Sequence, residues 1–387
     1  MNKRPFIILS AFLLLFSLIE KGQATETYRP ETSVAGFIQL PGSGRQVYNF
    51  NPGWRFFRGD VRGAEVVNFD DRSWNVVSTP HTVELMPAEG SGCRNYQGPA
   101  WYRKHFVLPA ETKGQRVVLH FEAAMGKQIL YLNGKRIQEH LGGYLPFTLD
   151  LTANGVQAGD SCLLAVFTDN SDDKSYPPGK RQYTLDFAYH GGIYRDVWMI
   201  AKSPVAITDA IDSQIVGGGG VFVHFDKISE KSAQVYVNTE VQNDDARSES
   251  VTVETTLTDA DGKVIKRSSG KLSLKPGEKK SIRQQMEVKN PTLWSPDTPY
   301  LYRVQSRIKK GNKSIDGGIT RVGIRLAEFR GKDGFWLNGK PFGQLVGANR
   351  HQDFAYVGNA LPNSQQWRDA KRLRDAGSVS YTHLRAH

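Results

Sequence analysis

Cysteine is nearly absent: Cys93 and Cys162 are the only two in 387 residues, and no Cys-x-x-Cys or Cys/His spacing surrounds them. A thiolate zinc centre and a disulfide-stapled miniature fold are thereby excluded. The pair either forms one bridge or stays as two buried thiols, since a chain of this length needs no staple to bury a core. Extended blocks of one charge are also missing. Lys and Arg outnumber Asp and Glu by 50 to 39, for a net charge of +11. The cations are scattered, and runs such as Lys279-Lys280 and Lys309-Lys310 are short, so the excess reads as solvated surface and not as a nucleic-acid-binding face.

Long apolar runs are lacking too, except at the very start. Lys3 and Arg4 precede a greasy stretch from Phe6 to Ile19, followed by Glu20-Lys21-Gly22-Gln23-Ala24. A positive leader, an apolar centre near the usual ~7–15 residues and small residues before a cut form a secretory signal peptide, and the run falls short of the ~20 residues needed to span a membrane. Residues 1–24 are therefore expected to be removed after Ala24, leaving an exported, periplasmic or secreted protein. Removal takes Lys3, Arg4, Lys21 and Glu20 with it, so the charge falls from +11 to +9. No cysteine near the cut offers a lipid anchor.

What is abundant is strand and turn chemistry. With 38 Gly, 18 Pro, 15 Tyr and 7 Trp among many short apolar runs, the period is two, not 3.6. Arg116–Phe121 reads as a strand, and Gln128–Leu132 reads as a strand entering a type I′ hairpin at Asn133-Gly134. Cys162–Phe167, apolar throughout, reads as a central strand. With Trp198–Ile200 these describe a β-sandwich over 26–203. Ser203-Pro204 punctuates the chain, Gly217–Gly220 forms a connection or hairpin tip, and strands at Val235–Val241 and Val251–Leu257, with the turn Asp259–Gly262, predict a second, immunoglobulin-like sandwich over 204–325. Leu272–Gln285 and Tyr300–Ile308 continue it. A strand-like Phe342–Ala348 and an amphipathic helix over Ser364–Ala376, apolar at Trp367, Ala370, Leu373 and Ala376, then open an α/β unit over 326–377.

Six segments occur in the order Gly98-Pro-Ala-Trp-Tyr-Arg-Lys-His-Phe106, Tyr131-Leu-Asn-Gly134, His190-Gly-Gly-Ile-Tyr-Arg-Asp-Val197, Pro291-Thr-Leu-Trp-Ser-Pro296, Gly323-Ile-Arg325, and Trp336-Leu-Asn-Gly-Lys340 leading to Gly347-Ala-Asn-Arg-His-Gln-Asp353. Together they resemble glycoside hydrolase family 2 over nearly the whole mature chain, and most of all its exported β-galactosidases. The resemblance implies a mainly β protein: a jelly-roll sugar-binding sandwich, an immunoglobulin-like sandwich and the truncated start of a catalytic (β/α)8 barrel. It also implies a retaining mechanism with two carboxyls about 5 Å apart, one of them in a motif ending Asn-Glu. No Asn-Glu dipeptide occurs here, so both catalytic glutamates are expected outside this chain, which alone should not hydrolyse glycosides. Residues 378–387 resemble a translated sequencing adapter, the alternative being a divergent strand.

The same resemblance supplies substrate-binding candidates. Asp186 falls where a carboxylate from the first sandwich reaches the barrel site; its plainer role is a turn or strand-end cap. Asn95 lies in a loop that supplies an amide near the sugar. Arg350 and His351 follow the first barrel strand, at the rim where barrels place their chemistry, and His351 matches a sugar-binding histidine. Asp353 orients His351, binds a sugar hydroxyl, or caps a turn. Trp294 and Trp336 are sugar platforms or interface residues, and Arg195 with Asp196 reads as a structural pair at the sandwich edge. No cofactor is expected in this portion, and Mg²⁺ only in the full-length enzyme. The partner is a β-galactoside, with no nucleic acid and no membrane span; a homo-oligomer stays open for the full-length enzyme. Competing expectations are a β-mannosidase or β-glucuronidase of the same family, or a non-catalytic carbohydrate-binding module of two sandwiches.

Overall fold

The computed structural model describes residues 39–87, 95–177, 179–185 and 187–382. The expected leader, Cys93 with any bridge to Cys162, Asp186 and residues 383–387 lie outside the described residues. Among the described residues, no helix is long and apolar enough to cross a membrane.

Two antiparallel sheets make the first sandwich. One runs in the order Gln46–Asn49, Val197–Lys202, Arg116–Phe121, Phe147–Asp150, and the other Asn75–Val77, Trp54–Arg58, Pro99–Val107, Ser161–Asp169, Lys127–Leu132, Lys135–Leu141. Trp54, Tyr102, Leu119, Phe121, Leu130, Leu149, Leu164 and Val166 fill the space between them. Ser161–Asp169 is an interior strand, as its unbroken apolar run requires. Asn133 and Gly134 both take positive φ, 50° and 82°, which matches the right-handed twist of the strands they join.

Pro99–Val107 departs from alternation because Ala100 to Lys104 are all buried. Ala100 and Tyr102 face the core, whereas Trp101 packs with Ala64, Trp74 and Ala165 under the segment that crosses the outer face. Arg103, fully buried, donates to Asp71 at 2.8 Å, to the Val66 carbonyl at 3.1 Å and to the Ala64 carbonyl, with its guanidinium 5.3 Å from the Phe69 ring. Lys104 donates to the Phe50 carbonyl at 2.7 Å and stands 4.0 Å from the Phe50 ring.

The second sandwich pairs Ser232–Asn243 with Lys279–Lys289 on one side and with Val205–Ile207 and Val221–Asp226 on the other. Its facing sheet runs Val264–Leu274, Glu249–Thr258, Tyr302–Lys310, Lys313–Val322. Within Leu272–Gln285 a turn at Lys275–Glu278, with Gly277 at φ 73°, carries the chain from one sheet to the other. The two sandwiches are locked by Arg45, whose Nε and Nη2 donate to the two oxygens of fully buried Asp316, each at 2.8 Å.

Beyond them, a short meander of Ala327–Phe329, Phe335–Leu337 and Lys340–Pro341 leads to a strand–helix–strand unit. Its first strand is Gly347–Asn349, shorter than the apolar run Phe342–Ala348 suggests; its helix is Asn363–Asp375. Ser380–Thr382, inside the stretch that resembles an adapter, pairs in parallel with Gly347–Asn349. Such pairing uses main-chain groups and is indifferent to side-chain identity. The helix buries none of its residues, and Trp367, Val346 and Leu345 are exposed.

Replacing Arg103 by Met leaves Asp71 without its main counter-charge under the crossing segment. The first sandwich is expected to lose about 3–5 kcal/mol, read from urea unfolding by near-ultraviolet circular dichroism. Arg72→Ala, which breaks only the exposed pair with Asp70, should leave the midpoint unchanged.

Candidate functional site

Three amides knit the loops at one end of the first sandwich. Asn170 donates to the carbonyls of Tyr189 at 2.7 Å and Tyr96 at 2.8 Å while accepting from the Gly98 amide at 3.0 Å. Gln182 donates to the Asn170 carbonyl at 2.6 Å and accepts from the Tyr189 amide. Asn95, buried, donates to the Tyr189 carbonyl at 2.9 Å, so its amide nitrogen holds the loop in place. These bonds satisfy main-chain groups that no sheet ladder reaches. They also border a shallow surface cleft lined by Asn170, Asp172, Asp173, Tyr176, Lys180 and Tyr189, whose enclosed space, about 10 Å³, is that of a single water. Burial pushes the Tyr176 hydroxyl up to about 12, so it stays a neutral donor. Carboxylates, an amide and an aromatic ring are the groups that a polyhydroxylated ring with one apolar face requires.

The barrel opening is seated on the same end. Ala360 packs with Ala123, Met125, Tyr189 and Tyr194, and the Tyr356 amide donates to the Met86 carbonyl. The His351 ring, exposed, stands edge-on to Phe187 at 6.5 Å, and Phe187 contacts Tyr189 at 5.5 Å, which joins the rim of the barrel strand to the cleft. Arg350 is turned the other way. Its guanidinium donates to Asp369 at 2.5 Å and to Gln366 at 2.8 Å, tying the strand to the helix. Asp353 faces His190 of the first sandwich, Oδ2 to Nε2 at 3.4 Å, with side chains only 4% and 2% exposed. Of the candidates, then, His351 is the exposed one, Arg350, Asn95 and Asp353 are engaged in packing contacts, and Asp186 lies outside the described residues.

Arg195 and Asp196 are not each other's main partners. Asp196 accepts from Asn51 and from Asn363, each at 2.8 Å, while Arg195 lies over the Tyr194 ring at 5.7 Å. Trp294 and Trp336 are each covered by an arginine, Arg325 at 4.5 Å and Arg330 at 3.9 Å, which hides a face that a sugar would need. His190 opens one of the six family segments, but its contact with Asp353 lies more than 160 positions away and is not readable from the sequence. Among the described residues no group of three or more His, Cys, Asp or Glu side chains converges, so they offer Mg²⁺ no donor set.

Glu122 lies at the same seam, accepting from the Trp198 indole at 2.9 Å. Burial, reinforced by the Asp196 charge, raises its carboxyl from 4.5 to about 7. The folded protein therefore holds that proton more tightly than the unfolded chain. The favourable contribution is complete below about pH 4.5 and is lost as pH rises through 7. Glu122→Gln should raise stability by roughly 1–3 kcal/mol at pH 8 and leave it unchanged near pH 4.5, read as the difference in melting temperature from the parent at the two pH values.

Comparison with known proteins covers the same units. The sugar binding domain of glycosyl hydrolases family 2 matches residues 66–204, and a second model of glycosyl hydrolases family 2 matches 219–325. A beta-glucuronidase of Formosa agariphila is 32% identical over 87% of this chain and 36% of its own length; a beta-galactosidase of Thermoanaerobacter pseudethanolicus is 33% identical over 87% and 43%. Among solved structures, a beta-glucuronidase from glycoside hydrolase family 2 superposes with a TM-score of 0.80 at 31% identity, over 89% of this chain and 37% of that one. Bacteroides uniformis beta-glucuronidase 2, covalently bound to cyclophellitol-6-carboxylate aziridine, superposes at 0.78 and 31%, over 87% and 39%. The chain thus spans less than half the length of these relatives. With both sandwiches matched in sequence by the family's own models and in shape by its solved members, the chain belongs to glycosyl hydrolase family 2.

Proposed function

We propose that these residues form the two sandwiches and the barrel opening of an exported, retaining β-glycosidase acting on terminal β-galactosides. The observation that carries the proposal is the meeting of His351, at the C-terminal end of the first barrel strand, with Phe187 from the first sandwich. An imidazole at a strand end offers a hydrogen bond to a sugar hydroxyl, and the flanking aromatic ring and polar cleft exclude water from one side of the sugar. Attack on the anomeric carbon and protonation of the leaving oxygen belong to two carboxyls about 5 Å apart, carried by barrel segments outside these 387 residues. What this chain contributes is orientation: it holds the non-reducing sugar while those carboxyls act.

A β-glucuronide is the second reading, supported by the relatives named beta-glucuronidase. Its C6 carboxylate calls for a free cation. Arg350 is neutralised by Asp369, whereas Lys180 lines the cleft and is the cation that a glucuronide reading would use.

The intact enzyme should cleave nitrophenyl β-galactoside faster than nitrophenyl β-glucuronide; the reverse order would exchange the two readings. The 387-residue chain alone should cleave neither, and turnover by it, free of contaminating activity, would defeat the placement of the carboxyls. Exported protein should begin at Thr25 on N-terminal sequencing, whereas a start at Met1 would refute removal of the leader.

A further inference from the structure

Arg350 and Asp353 flank His351, and both are fixed, but by different parts of the molecule. Arg350 is held by Asp369 and Gln366 of the helix that follows. Asp353 packs against His190, more than 160 positions earlier in the sequence, with Oδ2 3.4 Å from Nε2 in a contact almost closed to solvent and without hydrogen-bond geometry. The loop is shaped around that ring. Phe354 and Gly358 exchange two main-chain hydrogen bonds at 3.1 and 2.9 Å, closing a small turn, and Gly358 takes φ 52°. A Cβ on Gly358 would lie 2.5 Å from His190 Cγ, so both the backbone angle and the ring demand glycine there.

From this juxtaposition we infer that His190, through its buried contact with Asp353, is a positioning residue that sets His351 against the sugar from the first sandwich. The inference rests on the β-glycosidase reading above. His351 sits between these two contacts, only three positions apart, so losing one lets the backbone that carries the imidazole shift by about an ångström. A displacement of that size at a substrate-orienting group is enough to cost up to ~100-fold in rate. The contact also explains why a sandwich with no reacting group is seated on the barrel: it supplies one of the two fixed points for the rim.

The test is a double-mutant cycle on the intact enzyme with the chromogenic glycoside that the wild type cleaves. His190→Ala should lower kcat/KM about 10–100-fold, and His190→Ala combined with His351→Ala should lose no more than His351→Ala alone. A role confined to folding would instead multiply the two losses, and that outcome overturns the inference. If His190→Ala does not fold, the isosteric Asp353→Asn carries the same cycle with the same two outcomes. Failure of the wild type on both the galactoside and the glucuronide would remove the β-glycosidase reading itself, a result distinct from multiplicative losses in an active enzyme.

Discussion

Asp196 divides its carboxylate between two units: one oxygen accepts from Asn51 inside the first sandwich, the other from Asn363, the first residue of the barrel helix. A buried carboxylate without partners would cost several kcal/mol, and burial does push the Asp196 carboxyl upward. Two amide donors and the positive end of a helix offset that cost. Neither donor set is complete unless sandwich and helix are together. The barrel opening therefore hangs not from the immunoglobulin-like unit that precedes it in sequence but from the first sandwich. The buried His190–Asp353 contact and the packing of Ala360 lie along the same seam.

The immunoglobulin-like sandwich is the brace that makes this return possible. Asp316, with no exposed surface, takes both forks of Arg45 and the Ile207 amide at 2.7 Å, while Lys202 and Arg45 both donate to the Ile207 carbonyl. Such a buried, fully bonded pair adds little net stability compared with apolar packing, but it tolerates few other orientations. Fixing the angle between the sandwiches fixes where the chain re-enters against the first one. Rim groups from residues near 187 and near 351 then meet without further adjustment.

Much of the framework was legible because its causes are local. Asn133-Gly134 announces a hairpin through the positive φ both residues accept, and apolar spacing of 3.6 over Trp367, Ala370 and Leu373 announces the helix within one residue of its observed bounds at each end. The rest has non-local causes. Arg103 reads as a surface cation until the distant segment carrying Asp71 covers it. The strand pattern over Leu272–Gln285 does not show where one strand ends and the next begins, because a change of sheet leaves no mark in a two-residue period. At the site, the place of Arg350 and His351 after a strand is readable from the sequence, but the contact of Arg350 with Asp369 is not, because the helix packing back upon it supplies that partner. The family segment beginning at His190 does not reveal its contact with Asp353, which only the fold brings together.

The central claim is that sugar binds where the first sandwich meets the barrel opening. It is tested most directly by a crystal structure of the intact enzyme with a galactose-configured aziridine bound covalently. The sugar is expected within hydrogen-bonding distance of His351, with Phe187 and Tyr189 forming one wall. A ring enclosed entirely by later barrel segments, with His351 and those two residues remote from it, would contradict the account.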